Sequence, residues 1–151
     1  MIKLDSGRIP KIPGDKEKKK KHTIMIVDDE QAHLDEMAYM LTEEGYHIIT
    51  AQDGQEALDC IQKMEHPEII SLIISDQRMP RLTGIQLFEK LKEIIPSAIR
   101  IILTGYDKDV NVEVAKKTKI YKIISKPYAP EELIEQVRIA IKEFENQEKK
   151  N

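Results

Sequence analysis

Five polar side chains stand where apolar runs end. Asp28 and Asp29 follow Ile24, Met25, Ile26 and Val27; Asp76 follows the run from Ile69 to Ser75; Thr104 follows Ile101, Ile102 and Leu103; Lys126, with Pro127 behind it, follows the run from Ile120 to Ser125. Runs that end this way predict strands whose C-terminal ends converge on one crevice, the edge at which open α/β sheets bind ligands. Three carboxylates in one crevice repel each other, by roughly 4 kcal/mol for two unit charges about 4 Å apart at an effective dielectric of 20. A hard cation relieves that repulsion. An oxygen-only donor set suits Mg²⁺, which keeps several waters and takes further oxygens from a phosphate. The Lys126 ammonium can pair with an acidic group and with a phosphoryl oxygen, and Thr104 offers a hydroxyl donor. There is no Gly-x-x-x-x-Gly-Lys-Ser/Thr loop, and Asp28, Asp29 and Glu30 occupy the turn where a Gly-x-Gly-x-x-Gly would sit. A nucleotide grip is therefore absent from the pattern. The remaining parts, a cation, an attacking carboxylate, a hydroxyl and a lysine, suit transfer of a phosphoryl group onto an aspartate.

The elements that must position these residues alternate short apolar runs with longer amphipathic ones. Thr23–Val27 reads as a strand. Gln31–Glu43 reads as a helix through Leu34, Met37, Ala38 and Leu41, and Gly45 ends it. Tyr46–Ala51 is a second strand, Asp53 and Gly54 a turn, and Gln55–Met64 a second helix broken by His66 and Pro67. Ile69–Ser75 is continuously apolar, as a strand covered on both faces should be. Thr83 and Gly84 open a third helix whose inner side carries Ile85, Leu87, Phe88, Leu91 and Ile95, with Pro96 as its stop. Ile99–Leu103 and Ile120–Ser125 are the last strands. Between them Asp107–Lys117 is ambiguous, because Val110, Val112 and Val114 alternate at period two. Pro130 suits the first turn of a final helix, with Glu131 and Glu132 near the positive end of its dipole. Five β-α units with right-handed crossovers predict a doubly wound, five-stranded parallel sheet in the flavodoxin-like order 2-1-3-4-5. In that order the first and third strands adjoin at the switch point, and they carry Asp28, Asp29 and Asp76.

The chain has 151 residues, 40% hydrophobic and 34% charged. That favours one domain with a core large enough to need no disulfide or metal staple. No apolar stretch reaches the ~20 residues of a bilayer span. No secretory leader is expected, and a single cysteine, Cys60, fits a reducing cytoplasm. Cys60 falls within the second helix and reads as a structural thiol. Eight lysines and arginines against three acids give residues 1–22 a net charge of +5, so the rest of the chain carries −8 of the overall −3. Low apolar content, glycines, prolines and a lysine run predict disorder for residues 1–22. A solvated leader is the preferred reading there over a nucleic-acid or membrane contact, since no aromatics interleave the lysines. A single folded unit is placed at residues 23–146, with a fraying polar tail at 147–151.

Val27-Asp28-Asp29-Glu30, Ser75-Asp76 with Met79-Pro80 and Gly84, Thr104-Gly105 and Lys126-Pro127 resemble, in order and spacing, the receiver domains of two-component response regulators. The longer strings around Asp76, Thr104 and Tyr121 are similar to receivers joined to a cyclic-dinucleotide phosphodiesterase or another signalling domain. The resemblance implies that Asp76 accepts the phosphoryl group. It implies that Asp28 and Asp29, with Asp76 and the backbone carbonyl of Arg78, hold Mg²⁺, and that Thr104 and Lys126 contact the phosphoryl oxygens. It also implies a cis peptide before Pro127, a sensor histidine kinase as donor, a downstream output domain or protein as receiver of the signal, and a homodimer on phosphorylation as one form of output. The protein would then be a switch that catalyses only its own phosphorylation and dephosphorylation. One position departs from the pattern: the aromatic that usually lies three residues before the lysine is Ile123 here, with Tyr121 five before it. Two further readings are weighed: an adaptor of receiver shape, against which the complete acidic set argues, and a metal-dependent phosphohydrolase with an aspartyl intermediate. Phosphohydrolases of that kind space two aspartates one residue apart after the first strand, whereas Asp28 and Asp29 are adjacent. None of His22, His33, His47 and His66 has metal-ligand spacing, and His33 reads as a solvated helix position.

Overall fold

A computed structural model describes residues 21–105 and 110–150. The order of elements is β1 (Thr23–Val27), α1 (Gln31–Glu43), β2 (His47–Ala51), α2 (Gly54–Lys63), β3 (Ile70–Asp76), α3 (Gly84–Leu91), β4 (Ile99–Thr104), α4 (Val112–Lys117), β5 (Lys122–Ser125) and α5 (Pro130–Lys149). The strands form one parallel sheet in the order β2-β1-β3-β4-β5, as the alternation of elements predicts.

Side-chain alternation along the strands explains why β1, β3 and β4 are apolar throughout. Ile24, Ile26, Leu72, Ile74, Ile101 and Leu103 pack with α1 and α5 on one face. Met25, Val27, Ile73 and Ile102 pack with α2 and α3 on the other. Both faces are covered, so every residue of these strands is buried. The edge strands β2 and β5 are only partly buried, which matches their polar residues.

Local signals set most helix ends. The Asp53 side chain accepts from the Glu56 amide at 2.7 Å and starts α2. Thr83 and Gln86 form a reciprocal capping box at α3. The left-handed Gly45, at φ +99°, follows α1. Strand ends shift by one or two residues, β5 starting at Lys122 and not Ile120, and three readings differ in substance. Helix α3 ends at Leu91, ahead of Pro96: the Ile94 and Ile95 amides both turn back to the Leu91 carbonyl. The buried Arg100 then donates to the Ile95 carbonyl at 3.0 Å, a tertiary stop that no local signal announces. Helix α5 runs on to Lys149, past the tail boundary set at residue 146; intrahelical pairs such as Gln147 with Glu143, and Lys149 near the negative end of the dipole, support the extra turn. Period two around Val112 does not make a strand. Val112–Lys117 is a short helix capped by Asn111, with Val112 exposed. The disorder expected of residues 1–22 lies mostly outside the described residues, as do Tyr106 and the start of the Asp107–Lys117 segment. Among the described residues no helix is long and apolar enough to cross a membrane.

Candidate functional site

The C-terminal ends of β1 and β3 bring three carboxylates together. Oxygen atoms of Asp28, Asp29 and Asp76 all lie within 4.8 Å of one another. Lys126 arrives from the end of β5, and its Nζ lies 2.8 Å from Asp76 Oδ1. The peptide between Lys126 and Pro127 is cis. Thr104 ends β4, fully buried, in register with Ser125, and its carbonyl accepts from the Lys126 amide at 2.8 Å. Arg78 is exposed on the loop after β3. Ile123 pairs with Ile102 and packs, half-buried, against the α2/α3 core. Tyr121, 40% exposed, lies outside the strand.

Strand alternation divides the set. Asp76 continues the parity of Leu72 and Ile74, and so lies toward α1 and α5. Asp28 and Lys126, one step past Val27 and Ser125, continue that same parity beyond the ends of β1 and β5. Thr104 shares the parity of Ile102 and lies on the face of α2 and α3. A group bound to Asp76 would therefore meet side chains from both sides of the sheet.

The electrostatics are those of a crowded acidic crevice. Burial pushes the Asp76 carboxyl above the usual carboxylate range; the hydrogen bond and charge of Lys126 pull it back, and Asp28 and Asp29 push it up again. Asp28 is wholly buried while Asp29 is exposed. A carboxylate-only set with two of its three members buried fits a hard divalent cation such as Mg²⁺, and Asp28, Asp29 and Asp76 are the residues that would hold it.

Four residues to which the sequence reading gave no role in the site shape it. Gln77, buried directly after Asp76, accepts from the Gly84 amide through its carbonyl (3.1 Å) and from the Ile85 amide through Oε1 (3.0 Å), which ties the loop after β3 to the start of α3. Gly54 lets the α2 N-terminus touch that loop, because a Cβ there would lie 2.7 Å from Leu82 Cβ. Tyr128, just past Pro127, places its hydroxyl 2.6 Å from His33 Nε2. His33 is no solvated helix position: its Nδ1 also contacts Asp28 Oδ2. The sequence signal was available, since His33 lies in the first turn of α1, on the side of Leu34 and Met37. What could not be read was that the β5–α5 loop folds over it. His33 and Tyr128 line a groove of about 420 Å³ between α1 and that loop, with Glu30, Met37 and Met40.

This fold, with an acidic crevice at the carboxyl edge of its parallel sheet, defines a doubly wound α/β domain of the flavodoxin-like class, and the comparisons make the class specific. The model of the response regulator receiver domain family matches residues 24–138, and the chain belongs to that family. It is 33% identical over 123 residues to the hydrogenase transcriptional regulatory protein HoxA of Cupriavidus necator, a match covering 81% of this chain and 24% of that protein. The chain thus spans about a quarter of that relative. Among solved structures it resembles the signal receiver domain of an HD domain-containing protein from Pseudomonas fluorescens, with a TM-score of 0.77 and 25% identity over 88% of this chain and 96% of that one. It also resembles the response regulator TrrA of Thermotoga maritima, solved in complex with Mg²⁺-BeF, with a TM-score of 0.68 and 28% identity over 79% and 98% of the two chains. A receiver attached to a further signalling domain, the kind of relative the sequence strings suggest, is thus among its neighbours.

Proposed function

We propose that this receiver is a Mg²⁺-dependent switch phosphorylated on Asp76 by a sensor histidine kinase in the cytoplasm. The observation that carries the reading is the convergence of Asp28, Asp29 and Asp76 within 4.8 Å beside the Lys126 ammonium. In the step, an Asp76 carboxylate oxygen attacks the phosphorus of a phosphohistidine. The new O–P bond forms as the N–P bond breaks, and the released imidazole takes a proton from solvent. Bound Mg²⁺ would neutralise charge on the transferring phosphoryl oxygens. Asp28, Asp29 and Asp76, with the Arg78 carbonyl, are the ligands assigned to it. Lys126 exchanges part of its pairing with Asp76 for a phosphoryl oxygen, and the Thr104 hydroxyl donates to another. Because Thr104 lies on the opposite face from Asp76, its movement reaches the side of the sheet where Ile123 packs. The loops and α4 would then pass the signal to an output domain or partner by shifting a pre-existing equilibrium.

The test is direct. With Mg²⁺ and a small phosphodonor the chain should gain one phosphoryl group by intact mass, and chelation should abolish the gain; labelling that persists in chelator would remove Mg²⁺ from the reading. A second prediction concerns output. Ile123 fills the position of the usual aromatic with a shorter, half-buried side chain. Ile123→Tyr is expected to leave the extent of phosphorylation unchanged while altering its structural consequence, read as a different set of amide shifts in β5 and α4 on phosphorylation. Identical shift patterns in the two proteins would show that output bypasses this position.

A further inference from the structure

We propose that His33 is a positioning residue for cation capture: bridging Asp28 and Tyr128, it fixes the rotamer of the Asp28 carboxylate and ties it to the loop that carries Lys126. The proposal rests on the reading of Asp28 as a cation ligand and adds a residue that this reading does not contain.

Both oxygens of Asp28 are held. Oδ1 accepts from the Glu30 amide at 2.9 Å, and Oδ2 contacts His33 Nδ1. Each carboxylate oxygen has two lone pairs, so each keeps one for a cation while accepting one hydrogen bond. A carboxylate only accepts, so Nδ1 carries the proton; the Nε2 of a neutral ring then accepts from the Tyr128 hydroxyl at 2.6 Å. Burial, followed by the charges of Asp28, Glu36 and Asp76, holds the Tyr128 phenol protonated, as a donor must be. Asp28 is wholly buried, so in the folded chain its Oδ2 is held by the His33 ring and not by bulk water. Tyr128 lies two residues after Lys126, whose Nζ touches Asp76. A chain of contacts therefore runs from Asp28 through His33 and Tyr128 to the Lys126 loop and back to Asp76. It includes Asp28 and Asp76, while the exposed Asp29 takes no part in it. Side chains that orient a ligating group in this way are commonly worth about 10- to 100-fold in metal affinity.

The experiment is calorimetric titration of Mg²⁺ alone into the full chain, with no phosphodonor, for wild type, His33→Ala, Tyr128→Phe, the double variant and Asp28→Asn, each checked for folding by circular dichroism. Mg²⁺ affinity is expected to fall about tenfold in His33→Ala and about threefold in Tyr128→Phe, which removes one hydroxyl. Tyr128→Phe should cost nothing more in the His33→Ala background, because the hydroxyl acts only through the ring. Asp28→Asn separates this proposal from the reading beneath it. If wild type binds Mg²⁺, Asp28→Asn does not, and His33→Ala binds as wild type does, the positioning role is overturned and the ligand assignment stands. Additive losses in the double variant would overturn the relay through Tyr128. Wild type that takes up no Mg²⁺ would overturn the ligand assignment and the proposal with it. Should His33→Ala fail to fold, an unchanged affinity in Tyr128→Phe decides against the proposal by itself.

Discussion

Asp76→Asn is expected to take up no phosphoryl group from a small donor in Mg²⁺, while the wild-type chain takes up one. The amide is close in shape to the carboxylate but is a poor nucleophile, so the O–P bond has no atom to form on. The same substitution should stabilise the chain in the absence of metal. Burial, together with the charges of Asp28 and Asp29, raises the Asp76 pKa more than Lys126 lowers it, so at neutral pH the ionised carboxylate opposes folding, and Asn removes that cost. A carboxyl whose folded-state pKa is raised contributes stability below its unfolded value and loses it as pH rises through its folded value. The advantage of Asn should therefore be full at neutral pH and shrink as pH falls through the raised pKa of Asp76. Unfolding midpoints of both proteins in chelator, at neutral and acid pH, check this together with intact mass after labelling. A labelled Asn variant would move the phosphoacceptor elsewhere; a less stable Asn variant at neutral pH would mean that the Lys126 pair outweighs the burial of Asp76 and the repulsion of Asp28 and Asp29.

Gly84→Ala should lower stability by about 1–3 kcal/mol and slow phosphorylation, although helix propensity alone argues the opposite sign. Alanine is preferred over glycine by about 1 kcal/mol inside a helix, and Gly84 is the first residue of α3. The tertiary surroundings reverse that gain. A Cβ at this position would lie 2.6 Å from the Asp76 carbonyl oxygen, 2.6 Å from Ile102 Cδ1 and 3.2 Å from Ser75 Oγ. The isoleucine methyl can move, but the carbonyl belongs to buried backbone at the end of β3. Overpacking of this kind typically costs 1–3 kcal/mol. Relief would require Asp76 to shift or the Gln77 bonds to Gly84 and Ile85 to lengthen, and either change moves the phosphoacceptor. Denaturant midpoints measure the first effect and labelling rates the second. An Ala variant as stable as wild type would show that α3 can slide without cost.

How much of this was legible beforehand differs from one element to the next. The three central strands follow from runs apolar enough to be covered on both faces, the strand order follows from the right-handed crossovers, and the carboxylates follow because they stand at the ends of two of those runs. The capped starts of α2 and α3 follow from Asp53 and Thr83, whose side chains bond amides three residues on. The end of α3 does not, because it depends on Arg100 reaching the Ile95 carbonyl from a neighbouring strand. For Val112–Lys117, period-two alternation in a short segment competed with the cap supplied by Asn111, and only the observed cap decides between them.

The sequence by itself determined the sheet, the switch point between β1 and β3, and which acidic and basic side chains reach that edge. Those are consequences of periodicity, of chain direction and of the right-handed crossover, which operate over short stretches of chain. The tertiary structure alone decided what holds those side chains still. His33 and Tyr128 are 95 residues apart, and nothing in the spacing of either foretells that the β5–α5 loop lays the tyrosine over α1. Gly84 reads locally as the start of a helix; only the approach of the Asp76 carbonyl and Ile102 shows why a methyl group does not fit there. Contacts between distant segments depend on how helices settle onto the sheet, and that is fixed by packing across the whole core.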